Sequence, residues 1–395
     1  NFFFIGISFT IVGTGFFKPN ISSMVGQLYK EGDPRRDAGF SFFYMGVNLG
    51  ALLGGYVCIA VAEGSMWQSM VPEHLRWNVG FGFAAIVMII SLLTFTQTQK
   101  TLSTIGLSPL QEVATSKRKI LEIATYLGSL LVIPVIIIMV ANTKYTDYFM
   151  MFIGPASILY LLYEMKNFSV SENKKLLAAL VFIIFSIFFW AFFEQSGGSL
   201  SLFAANNLNN TIVGVELSPN GVNNSANSLF VIGFAALVGL VWLWMAKRKI
   251  EPNTIIKFGL AFLFLAGGFW VFYYTQFFAD LNGKTSLGIF TLGWLVITFG
   301  ELCLSPIGMS AMTKLSPQKT QAVMMGMWFL ASAYGQYFAG ILGANIAEAS
   351  ENASNLEKLV LYADGYKQLA IYALILGVVL IAISPLVKKL MQEVK

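Results

Sequence analysis

Eleven long apolar runs dominate this sequence, and they leave it few folds to choose from. They fall near residues 1–20, 38–61, 78–97, 120–142, 146–165, 175–205, 226–246, 256–277, 286–308, 319–346 and 366–390. A run of about 20 apolar residues crosses the hydrocarbon layer as a helix, because only a helix bonds all its backbone polar groups within one segment. A barrel strand would read as a short stretch of alternating polarity instead. The expected fold class is therefore an all-α polytopic membrane protein with eleven transmembrane helices. Composition agrees, since 56% of the 395 residues are hydrophobic.

The basic residues between the runs give the same count a second footing. Taken in alternation, the loops on one side carry 19 Lys and Arg and those on the other carry five, Arg76, Lys144, Lys284, Lys358 and Lys367. A missed or invented span would scramble that bias. The positive-inside rule assigns the basic set to the cytoplasm, which places the C-terminus there. The net charge of +5 is thus a topological signal rather than a nucleic-acid surface. Asn1 already lies inside an apolar run, with no initiator Met or cleavage site ahead of it, so the chain reads as cut off at its N-terminus.

Metal, disulfide and enzyme chemistry find little to build on. Cys58 and Cys303 both fall in apolar runs, where Cys behaves as a small hydrophobe, and the single His74 falls in a polar loop. No metal site and no cofactor are expected. No Walker motif, phosphate loop or Ser/His/Asp arrangement is present. The Asn-rich stretch Ala204 to Asn227 and the acidic stretch 347–358 read as solvated outer loops.

Three charges sit deep inside apolar runs: Lys18, Glu194 and Glu301. Each costs ~2.5–3.5 kcal/mol at membrane depth on insertion scales, so each needs a partner or a water-filled cavity. Pro19 follows Lys18 directly and is expected to end or kink its helix, and Pro306 does the same after Glu301. Carboxylates at depth can exchange protons, so a proton relay through a shared polar chamber is one reading. A structural ion-pair network that fixes helix packing is the other.

The residues around these charges resemble a family. GTGFFKPNISSMVGQLY, DPRRDAGFSFFYMGVNLGALLGG, FFWAFFEQSGGSLSLFA, FGELCLSPIGMSAMTKLSP and MMGMWFLASAYGQYFAG together look like the proton-dependent oligopeptide transporters, a branch of the major facilitator superfamily. The resemblance implies twelve core helices with two more inserted between the halves in bacterial members. This chain would hold family helices 4–12 plus the inserted pair. Residues 1–97 would then be the remainder of the N-terminal half, 98–174 a connector with the inserted helices, and 175–395 the C-terminal half.

The resemblance also implies roles. Lys18 would engage the peptide carboxylate and take part in proton coupling. Asn48 would bond the peptide backbone, Glu194 would couple protons, and Glu301 would receive the peptide's amino group. Tyr44, one turn from Asn48, and Trp190, Trp328 and Ser332, one helical turn from site residues or from each other, would complete the pocket. Core or lipid-facing packing is the alternative for both tryptophans. Where members usually read like SLNPLF, this chain reads Ser225-Ala226-Asn227-Ser228-Leu229-Phe230, which keeps Asn227 for the substrate and loses the proline. Gln336 stands where an asparagine is usual and receives no role.

The function implied is a symporter that imports di- and tripeptides with protons across a bacterial inner or plasma membrane by alternating access. A related symporter of another solute such as nitrate, or a non-transporting receptor of the same fold, are the competing expectations.

Overall fold

The computed structural model describes residues 2–30, 32–62, 67, 69–346, 353–392 and 394. Twelve α-helices account for nearly all of them: α1 (Phe2–Gln27), α2 (Arg36–Ala62), α3 (Arg76–Thr98), α4 (Thr115–Ala141), α5 (Thr143–Glu164), α6 (Val170–Phe193), α7 (Ser199–Asn207), α8 (Pro219–Lys247), α9 (Thr254–Tyr274), α10 (Leu287–Leu315), α11 (Gln321–Ile346) and α12 (Asn355–Met391). The short α7 continues the run of α6 after a break, so the helices make eleven rods, one for each apolar run. Nine of the rods are, among the described residues, long and apolar enough to cross a membrane by length and composition. The first half of the acidic stretch, 347–352, and the terminal Asn1 and Lys395 lie outside the described residues.

The starts of the rods are set by local side chains. Ser169 and Glu172 form a capping box ahead of α6, Ser354 and Glu357 form another ahead of α12, and Asn253 and Ser286 cap α9 and α10. Each supplies an oxygen to an N–H that the helix leaves unpaired. Pro19 does not end α1, which runs on to Gln27 with Ser22 bonding back to the Lys18 carbonyl at 2.9 Å. Pro306 likewise lies inside α10. Membrane helices tolerate proline because neighbouring groups and packed helices restore what its missing N–H removes.

The densest packing joins α9 to α12 and α10, α2 to α8, and α6 to α11. Aromatic rings fill the space among α6, α7, α9, α10 and α12: Phe272 stacks on Phe290 at 5.0 Å, and Trp294 meets Phe193 at 5.9 Å. Glycines let backbones approach where it matters. A Cβ on Gly335 of α11 would lie 2.2 Å from the Cβ of Trp190 in α6. Small residues at such crossings are the usual means of close helix association in lipid.

The second helix of the pair between residues 115 and 164 is pegged to α11. The Tyr334 hydroxyl accepts the N–H of Gly154 at 2.8 Å and donates to the carbonyl of Met150. These two groups are partners four residues apart in α5, just before Pro155, so the tyrosine enters the helix's own ladder.

The Asn-rich stretch is more ordered than a solvated loop. It forms a small hairpin, β1 (Thr211–Ile212) with β2 (Val215–Glu216), and then the first turns of α8. Asn207 is fully buried and donates to the carbonyls of Gly283 at 2.9 Å and Asn355 at 2.7 Å. Asn223 donates to the Ser196 carbonyl at 2.8 Å. These asparagines tie rod ends together, a task that polarity alone does not advertise.

Candidate functional site

Glu301 is the more confined of the two acids singled out. It lies in the middle of α10 at 2% exposure. A carboxylate there is tolerable only with its oxygens occupied. Tyr44 of α2 donates its hydroxyl to one oxygen. Asn227 of α8 donates to the other at 2.6 Å and also reaches the Thr298 hydroxyl at 3.2 Å. Asn48, one turn after Tyr44, bonds back to the Tyr44 carbonyl at 3.1 Å and meets Ser228 of α8 at 3.5 Å. Two helices, α2 and α8, therefore converge on this acid of α10 through neutral donors.

Glu194 sits at the break between α6 and α7, not in mid-helix as an uninterrupted run would place it. The break follows from Gly197-Gly198, poor helix formers, and from Gln195, which supplies substitute bonds. Fully buried, Gln195 donates to the carbonyls of Ala191 and Ala339, both at 3.2 Å, and accepts from Ser199 at 2.8 Å. Beside the break lies a cleft of about 320 Å³ lined by Glu194, Ser196, Asn224 and Gln336 together with glycines 197, 198 and 340. Gln336 of α11 donates to the Glu194 carboxylate at 3.2 Å. A larger apolar groove of about 460 Å³ between α1 and α4, lined by Val12, Phe16, Val132 and Ile136 among others, holds no ionisable group.

Lys18 extends from α1 and places its ammonium 4.5 Å from the Phe329 ring centroid on α11, a cation–π contact. Its charge and that of Glu301 both reach Glu194. Trp190 and Trp328 are 9% and 2% exposed and packed into the core, the first against Gly335 and the second across Gly308 of α10, and neither lines the cleft. Ser332 is half-buried one turn beyond Trp328. Tyr44, Asn48, Asn227 and Glu301 thus come together, and Lys18 and Glu194 form a second, more open group. Gln336, Thr298, Ser228 and Asn224 belong to these surroundings and carry no sequence signal beyond being polar in an apolar run.

A further charged cluster corrects the count of three deep charges. Asp37, in the first turn of α2, is 6% exposed, and its carboxylate receives Lys257 of α9 at 3.0 Å, Lys314 of α10 at 2.5 Å and the Ser310 hydroxyl at 2.5 Å. Lys257, 2% exposed, also meets Glu251 at 2.5 Å and the ring of Trp242 at 4.8 Å. The cluster lies at the end of the bundle that carries the basic loops. There α1 and α10 also touch, since a Cβ on Gly26 would fall 2.7 Å from Thr313, and Gln27 meets Gln321 of α11 at 3.5 Å. At this end α1 and α2 therefore touch α9, α10 and α11.

Known proteins share this sequence and this architecture. The POT family matches residues 1–359. A peptide transporter of Yersinia enterocolitica is 34% identical over 365 residues, covering 87% of this chain and 68% of its own length. A di-/tripeptide transporter of Lactococcus lactis is 28% identical over 407 residues, covering 99% of this chain and 77% of its own. Among solved structures, the peptide transporter POT in complex with sulfate superposes with a TM-score of 0.65 at 31% identity, over 96% of this chain and 74% of that one. A mutant of the peptide transporter POT in complex with alafosfalin gives a TM-score of 0.67 at 30% identity, over 96% of this chain and 73% of that one. With a family match across most of its length and neighbours of the same helical architecture, this multi-pass membrane protein belongs to the POT family and has the major facilitator fold.

Proposed function

We propose that the protein is a proton-coupled symporter that imports di- and tripeptides by alternating access, with residues 1–97 and 175–395 as parts of the two moving halves and 98–174 as the connector between them. The observation that carries this reading is Glu301: an almost fully buried carboxylate reached by Tyr44 from one half and Asn227 from the other. A peptide ammonium offers that carboxylate a charge partner that, among the described residues, neither Tyr44 nor Asn227 supplies. Asn48 and Ser332 offer hydrogen bonds to the peptide backbone, Trp190 and Trp328 stiffen the walls from behind, and Lys18 stands ready for the peptide carboxylate. Apolar surroundings with few polar groups suit substrates whose backbone and termini are constant and whose side chains vary.

Glu194 is the acid placed to carry the coupled proton, since it lines an open polar cleft and feels the charge of Lys18. Protonation would cancel that attraction between α6 and α1. With the basic loops assigned to the cytoplasm of a bacterial cell by the positive-inside rule, the end where α1 and α2 touch α9, α10 and α11 faces inward. The names of the relatives from Yersinia and Lactococcus, and the alafosfalin complex, support peptides over an anion such as nitrate.

The test is uptake of labelled dialanine into proteoliposomes with and without an inward proton gradient, for the unaltered protein and for Glu301→Gln. Gradient-driven uptake that Glu301→Gln abolishes is the expected result. Failure with peptides but uptake of nitrate would overturn the peptide reading.

A further inference from the structure

Gln336 is the only residue whose side chain donates to the Glu194 carboxylate among the described contacts, through its Nε2 at 3.2 Å. The other groups around Glu194 are committed or differently placed. Gln195 is spent on Ala191, Ala339 and Ser199, and Asn224 and Ser196 line the same cleft as neutral side chains from α8 and the break. The titratable groups whose charges reach Glu194 are Lys18 from α1 and Glu301 from α10.

A carboxamide and an ammonium respond differently when an acid takes up a proton. Lys18 has donors only, and its attraction depends on the negative charge of Glu194. Gln336 carries both a donor and an acceptor on one planar group. Facing the carboxylate it offers Nε2–H, and facing the neutral acid a half-turn about its last bond offers Oε1 to accept the new carboxyl O–H. We infer that Gln336 is a positioning residue that keeps Glu194 attached to α11 in both protonation states, so that proton uptake cancels the attraction to Lys18 of α1 without detaching Glu194 from α11. This rests on Glu194 being the proton-carrying acid of the proposed symport.

The inference has a measurable sign. A donor to the carboxylate stabilises its charged form, so removing the donor raises its proton affinity. Gln336→Leu and the more flexible Gln336→Met should each move the pH of half-maximal gradient-driven dialanine uptake upward by about one unit, and Gln336→Asn, which keeps the amide on a shorter stem, by less. A residue that only fills space would lower the maximal rate or the melting temperature and leave the pH midpoint where it was. That outcome in Leu and Met variants that reach the membrane would overturn the assignment.

A second measurement separates this inference from the symport reading. The infrared band of protonated carboxyl groups that Glu194→Gln removes can be titrated in purified protein, whether or not it transports. If the unaltered protein takes up no dialanine, the peptide reading fails and the infrared titration still decides on Gln336. An unchanged midpoint of that band in Gln336→Met would overturn the inference even in an active transporter.

Discussion

Replacing Asp37 by Asn should unlatch the basic end of the bundle. The change keeps the side chain's shape and removes the one negative charge that Lys257 and Lys314 share at 3.0 and 2.5 Å. Breaking a buried ion pair from one side costs about 3–5 kcal/mol, because a charge is left in a poor solvent without its partner. The lower figure applies here, for two reasons. Lys257 keeps Glu251 at 2.5 Å, and Lys314, 20% exposed, can turn toward water. Asp37 belongs to α2 and both lysines to α9 and α10, so the loss falls on the state in which these helices meet. About 3 kcal/mol corresponds to a roughly 150-fold shift toward states open at that end. Gln27 and Gln321, whose side chains lie 3.5 Å apart, provide the gauge. With Cys58 and Cys303 replaced by Ala, a Gln27→Cys/Gln321→Cys pair should cross-link readily with the native Asp37 and poorly with Asn. Equal cross-linking rates in the two backgrounds would refute the argument that this cluster holds the end shut.

Other expectations follow from single contacts. Gly335→Leu sets bulk against the Trp190 Cβ and the α6 backbone, which lie 2.2 and 3.1 Å from the first added atom, so it should lower the melting temperature in detergent by the equivalent of about 1–3 kcal/mol or more. Asp33, in the loop before α2, is held down at about 2 by hydrogen bonds from the Arg35 side chain and backbone. A depressed carboxylate lends stability that is present above its ordinary value of 3.8 and lost as pH falls through about 2, so Asp33→Asn should leave the pH profile of uptake unchanged between about 5 and 8. A shifted profile would point to a role for that loop in coupling.

How much of this was legible beforehand depends on what each residue's neighbours allow. The rods were readable because a membrane helix needs only continuity of apolar residues, and the basic loops checked the count. Glu301 was conspicuous because an acid in mid-run needs a partner or a cavity, though an ion-pair network that fixes packing was the other reading. The interruption at Glu194 was hidden, since 175–205 reads as one long apolar run and glycine pairs serve packing as well as breaking helices. Asp37 and Lys257 looked like loop charges because long side chains near helix ends commonly reach for water, and only the fold shows these two turned inward. The tryptophans illustrate the same limit from another side. Spacing tells which residues share a helix face, but where every face is apolar it does not tell whether that face meets lipid, core or cleft. Of the end or kink that Pro19 suggested, the end is not there, because soluble-protein rules for proline weaken in lipid.

Asp37 and Lys257 stand 220 positions apart in the chain, yet each is buried against the other. Their inheritance is therefore joint. A hybrid that grafts the early helices of this protein onto the later helices of a relative will misassemble wherever the donor lacks the matching lysine. Replacing both members at once by apolar residues of similar volume offers a route around that barrier.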